Sequence, residues 1–153
     1  MTRVIAICVA LLVMTTAGLA AEKQVAVYLV QPTAPGEFQD PALLQQIAST
    51  RDLRERIKWA WRKDIVLVDR REDAVVVVEV IDRGAHVAEK VVMVKVTVGE
   101  YTTAIQGRSE TSNIGTGDLL LEALGESNWK YAAWDAAKQL GAFIRANHQK
   151  LKK

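Results

Sequence analysis

Six apolar residues in succession, VAVYLV from Val25 to Val30, open the patterned part of the chain. A continuous apolar run of that length predicts a strand buried on both faces. All three prolines follow within QPTAPGEFQDP, Gln31 to Pro41, where a loop is expected. Asp40-Pro41 has the form of an N-cap followed by proline at the first helical position, opening a short turn through Ile47. Ser49-Thr50-Arg51-Asp52 has capping-box spacing and predicts a helix that restarts there. On that helix Leu53, Ile57, Ala60 and Trp61 share one stripe, with Arg54, Glu55, Lys58 and Arg62 away from it.

Ile65 to Val68 predicts a second strand, parallel to the first because a helix lies between them. The short link Asp69 to Asp73 leaves no room for another crossover. The stretch DAVVVVEVIDRG, Asp73 to Gly84, is therefore expected to return antiparallel, ending in a loop around Gly84. KVVMVKVTV and YTTAIQGRS flank Gly99-Glu100, which has the Gly-X form of a two-residue hairpin turn. That turn sets Val98 opposite Tyr101, Val96 opposite Thr103 and Val94 opposite Ile105. Ser109 to Asp118 is polar and reads as a loop, and Leu119 to Leu124 as one or two helical turns. Ser127 or Asn128 is expected to cap a last helix running to about Asn147. Its core stripe is Trp129, Ala132, Ala133, Ala136, Leu140, Phe143 and Ile144.

Alternation within the strands decides which face is wet. If Val92, Val94, Val96, Val98 and Ile105 meet the helices, then Val76, Val78 and Val80 do too. Glu79 falls on the opposite face, within reach of Lys95, as a cross-strand pair contributing about 0.2–1 kcal/mol. That outer face also carries Val75, Val77, Ile81, Val91 and Met93. So much apolar surface implies either a covering segment or a dimer or partner surface.

The ends change the setting. MTRVIAICVALLVMTTAGLAAEK offers Arg3, then an apolar stretch from Val4 to Val13, then the small-x-small site Gly18-Leu19-Ala20. This is the plan of a cleaved export signal, residues 1–20, with a single globular domain over residues 21–153. The apolar stretch is well short of the roughly 20 residues that span a bilayer. The expected location is periplasmic or extracellular. Cys8, the only cysteine, lies within the signal, which excludes disulfides and thiol chemistry from the exported part. The formal net charge is +2, one unit of it from Arg3, giving no electrostatic case for nucleic acid.

Candidate chemistry is sparse. Two histidines, His86 and His148, fall short of the ligand set of a zinc site. Gly115-Thr116-Gly117-Asp118 lacks the lysine of a phosphate-binding loop. Ser109, Ser112 and Ser127 sit in no nucleophile motif. No metal, cofactor or catalytic residue is expected, and the chain reads as a non-enzyme. The tryptophans point elsewhere. Trp61 and Trp129 fall on core stripes, but Trp59 points outward beside Arg56, Arg62 and Lys63. Trp134 also lies off its stripe, within reach of Lys138 and near the azimuth of Tyr131 and Arg145. An outward tryptophan among cations suits a protein-partner hot spot or a sugar-stacking platform. Candidate partner residues are Trp59, Trp134, Tyr131, Lys138, Glu79, Lys95 and Val77.

The signal with VAVYLV, RDLRERI with IVLVDRREDAVVVVEV, and WKYAAWDAAKQLGAFIRAN together resemble an uncharacterised family of exported bacterial proteins. That resemblance brings no activity and no functional residues. In its β-α-β-β-β-α order the chain is more distantly similar to envelope domains such as the curli secretion lipoprotein and the amino-terminal domain of the Tol translocation protein. Those domains act by protein contact, which implies the same here, although the chain lacks a lipobox. The expected fold is an α+β two-layer sandwich: a mostly antiparallel sheet of about five strands with two long helices on one face. The expected function is non-catalytic protein binding in the cell envelope, with an envelope protein or self-association as the contact. Binding of glycan or a small ligand by Trp134, Tyr131 and Lys138 is the alternative.

Overall fold

A computed structural model of the chain describes residues 24–33, 40–86, 89–110 and 118–151. The expected export signal, residues 1–20, and most of the proline segment lie outside these residues. The elements run β1 (Val25–Leu29), α1 (Pro41–Ala60), β2 (Ile65–Val68), β3 (Val76–His86), β4 (Glu89–Val98), β5 (Tyr101–Glu110) and α2 (Asp118–Leu151). They form a two-layer α+β sandwich. Five strands in the order β2-β1-β3-β4-β5 make one mixed sheet, and both helices pack on the same face of it. The long ladders, β3 with β4 and β4 with β5, are antiparallel.

Alternation builds the core. Val76, Val78 and Val80 of β3 and Val92, Val94 and Val96 of β4 are buried, and so is Ile105 of β5. They meet Leu53 and Ile57 of α1 and Ala132, Ala133, Ala136, Ala137, Leu140 and Ile144 of α2. Each fully buried valine or leucine stabilises the fold by roughly 1.5–3 kcal/mol relative to exposure. The alanines let α2 lie close to the sheet. At Gly107 the approach is closest, since a Cβ there would run into the backbone of Ala132 and Ala136. Asp135 and Gln139 then cover that edge of β5: Asp135 accepts from the Arg108 N–H at 3.1 Å, and Gln139 donates to the Gln106 carbonyl. The hairpin turn has the expected register, with Gly99 at φ +57° in the left-handed region that favours glycine.

Five expectations about the elements are corrected. β1 is not buried on both faces: Val25, Val27 and Leu29 are buried, while Ala26 and Tyr28 are only half-buried. α1 does not restart at Ser49. The Asp40 carboxylate caps it by accepting from the Ala42 N–H at 2.9 Å, and the helix continues unbroken to Ala60. Ser49, Thr50 and Asp52 are buried mid-helix, and the Ser49 hydroxyl accepts from Arg83 Nε at 2.7 Å. A capping-box spacing is thus overridden by a tertiary hydrogen bond. β3 does not return antiparallel beside β2. A 3₁₀ turn at Arg71–Asp73 helps carry the chain across β1, and β3 pairs parallel with β1 on its far side, Val27 opposite Val76. Gly84 lies inside β3, in register with Val91, and not in a loop. β5 extends through Glu110, past the expected start of the loop at Ser109, and α2 begins at Asp118, not at Ser127 or Asn128.

A register shift between Val80 and Asp82 leaves Ile81 as an extra residue in β3. Such a bulge swaps the faces beyond it. The Ile81 carbonyl accepts from Gln46 Nε2 at 3.0 Å. The Asp82 carboxylate accepts from the Arg83 N–H at 2.7 Å. Past the bulge Arg83 and Lys90 reach the helix side, where both lie over the Trp129 ring.

Candidate functional site

The seven partner candidates separate into two groups on opposite sides of the sheet. Glu79, Lys95 and Val77 lie on the outer face, away from the helices. Glu79 and Lys95 are direct register partners and form an ion pair at 2.6 Å. Val75 and Ile81 are exposed, and Val77 and Met93 half-buried. Val91 departs from expectation and is buried. It stands in register with Arg108, whose guanidinium bonds Glu89 on one side and Gln106 on the other.

Trp59, Trp134 and Tyr131 come together where α1 meets α2. Trp59 belongs to the last turn of α1 and sits off the buried line of Leu53 and Ile57. It is 73% exposed. Trp134 sits off the alanine line of α2 and is half-buried. Arg56 joins them: its guanidinium carbon is 4.9 Å from the centroid of each ring. Tyr131 meets Trp134 edge to face at 5.6 Å. Glu55, Arg56, Trp59 and Trp134 line a groove of about 440 Å³. Each cation–π contact at such an exposed site contributes about 0.5–1 kcal/mol. Their larger effect is to hold Trp59 in place.

Two expected neighbours are replaced. The ammonium over Trp134 belongs to Lys130, at 5.1 Å, and not to Lys138, which is exposed. Both residues lie one helical turn from Trp134, in opposite directions, so spacing alone did not distinguish them. Arg145 lies over Trp61, not Trp134. Arg56 itself was the residue missed as a link, because only the packing of α1 on α2 brings it to Trp134. The available signal was Arg56 at i−3 from Trp59 on a helix.

The groove is lined by one carboxylate, one guanidinium and two indoles. Among the described residues no three His, Cys, Asp or Glu side chains gather to hold a metal. Beside it, Asp52 is buried, which raises its carboxyl above the ordinary range, while Arg51 and Lys130 pull it down. The indole Nε1 of Trp134 is buried with no hydrogen-bond partner. Among the described residues no helix is long and apolar enough to cross a membrane.

The molecule is thus an α+β sandwich carrying an aromatic and cationic groove between its two helices. No family model matches the chain, and no curated protein matches it. Among solved structures, protein VC0702 from Vibrio cholerae is similar at 13% identity, over 82% of this chain and 99% of that one, with a TM-score of 0.32. A likeness of that size carries no argument about function.

Proposed function

We propose that this is a non-catalytic exported protein that works through protein contacts in the cell envelope, with the groove of Glu55, Arg56, Trp59 and Trp134 as its working surface. The observation that carries this reading is Trp59. Burying a tryptophan on association contributes more than burying most residues, and hot spots are enriched in Trp, Tyr and Arg. Here an exposed tryptophan is pinned by an arginine in a concave, largely apolar setting. Rigid anchors lose little side-chain freedom on binding.

The glycan alternative draws less support from the same groove. A sugar needs an open ring face, and the Trp134 ring already carries Arg56 and Lys130 with Tyr131 at its edge. The test is a photo-crosslinking side chain placed at Trp59 and, separately, at Val77 on the outer sheet face, in cells of the source organism. A discrete protein adduct from position 59 is expected. No adduct at 59, or one at Val77 alone, would shift the working surface to the sheet, with self-association among the outcomes.

A further inference from the structure

Arg56 lies over two tryptophan rings, and among the described residues its guanidinium forms no hydrogen bond or ion pair. Guanidinium presents five N–H donors in the plane of the group, at right angles to the π contacts. The Arg56 guanidinium carbon lies 4.9 Å from the centroid of the Trp59 ring and of the Trp134 ring. Among the described residues no carboxylate, carbonyl or hydroxyl accepts from the edges. Glu55 lines the same groove without forming an ion pair. Elsewhere this chain displays the arrangement in completed form. Arg145 lies over the Trp61 ring at 4.7 Å, and its Nε and Nη2 donate to the two oxygens of Asp64 at 3.0 and 2.8 Å. Of the arginines that lie over a tryptophan, Arg145 thus takes a planar carboxylate, while Arg83 over Trp129 donates to the Ser49 hydroxyl.

We propose that the Arg56 edge is a carboxylate-recognition site, and that its occupant is an acidic side chain of a partner protein, flanked by an apolar residue that covers Trp59. This deepens the reading of the groove as a partner surface and rests on it. Two features favour a peptide carboxylate over a free anion. The positive charges of Arg56 and Lys130 are opposed by Glu55, so net charge attracts an isolated ion weakly. The exposed face of Trp59 beside the fork asks for an apolar group covalently attached to the acid. Recognition then depends on fork geometry and apolar contact together, and Glu55 discriminates against segments with several acidic residues.

The test titrates the tryptophan fluorescence of the full-length protein with blocked pentapeptides, phenylalanine on each side of a variable centre. The glutamate centre is expected to bind about tenfold or more tighter than glutamine, as loss of a charge-assisted hydrogen bond implies. Arg56→Lys, which keeps the charge but loses the fork, should erase that preference, so that the glutamate and glutamine peptides bind alike. Glu55→Gln should strengthen binding of the glutamate peptide. Thermal unfolding of both variants should match wild type.

Equal binding of glutamate and glutamine centres, both lost in Trp59→Ala, would overturn the carboxylate site while leaving the groove as a protein surface. A preference unaltered by Arg56→Lys, or a phosphoserine centre binding tighter than glutamate, would overturn it too. Absence of peptide binding, with or without binding of galacturonate oligomers, would overturn both readings.

Discussion

Two arginine–tryptophan stacks lie on the same helix pair, and they have opposite characters. At the end of α1, the Trp61 ring lies against Gly141 of α2, so tightly that a Cβ there would enter the indole. Arg145 covers that ring, and Asp64 closes the guanidinium fork. At the groove, Arg56 lies over Trp59 and Trp134 with no carboxylate of the described residues on its fork. The first stack is satisfied within the chain and partly buried. The second leaves an exposed ring and an open fork. The same chemistry serves stability where it is internally complete and is available for recognition where it is not.

The sharpest way to break the contrast is to delete each ring in turn. Trp61→Ala is expected to destabilise the fold by about 3 kcal/mol, toward the low end for a core tryptophan because the ring is only half-buried. It vacates the space over Gly141 and strands Arg145. Urea unfolding should show this as a lowered midpoint with an unchanged slope. Gly141→Ala attacks the same contact from the opposite side. The added methyl must displace the indole, at a cost of about 1–3 kcal/mol by the same measurement. A loss below about 0.5 kcal/mol in both variants would show that the Trp61 stack is as dispensable as an exposed one.

The contrast was only half visible in the sequence. Strand parity was legible because six buried valines at positions of equal parity fix which side meets the helices. It also located the Glu79–Lys95 pair, while helical spacing located the outward turn of Trp59. Three features were hidden. A local capping pattern at Ser49 lost to the hydrogen bond from Arg83, a residue 34 positions away. The extra residue Ile81 swapped the faces of β3 beyond it, which no local pattern announces. β3 crossed to the far side of β1 because a short link with a 3₁₀ turn suffices when β3 begins level with Val27, midway along β1, and runs on past its end. For the site, Trp59 and Trp134 were each identifiable from their helices. Their union through Arg56 required knowing how α1 sits on α2.

Charge separates the stacks more finely. The hydrogen bonds from Arg145 hold the Asp64 carboxyl below its ordinary range. A folded-state value that is depressed means the unfolded chain binds more protons through that window. Stability from Asp64 is therefore fully present above the ordinary carboxylate range and is lost as pH falls through the depressed value. Asp64→Asn should cost about 0.5–1 kcal/mol at neutral pH and flatten the acid limb of a stability–pH curve. Asp52, beside the groove, carries the opposite sign, since burial raises it. There the folded state binds more protons, and stability falls as pH rises from the ordinary value through the raised one. Asp52→Asn should remove that slope and raise stability at neutral pH, because the pair it gives up, with exposed Arg51 at 3.6 Å, is weak.

The smallest expected effect is the most telling. Trp59→Ala removes a ring that is mostly in solvent, so it should change unfolding free energy by less than about 0.5 kcal/mol. Only the single cation–π contact with Arg56 opposes this, and at an exposed site it is worth no more than about 1 kcal/mol. A tryptophan on the surface has a large apolar area facing water and contributes little to the fold that carries it. If Trp59→Ala instead unfolds the protein as readily as Trp61→Ala does, its ring is covered in solution by another part of the chain. The two stacks would then both be structural, and the groove would be an interior seam with no role for a partner. If the variant is as stable as wild type but no longer binds the partner that crosslinking identifies, the ring is free of any role in folding and its exposure is explained by association.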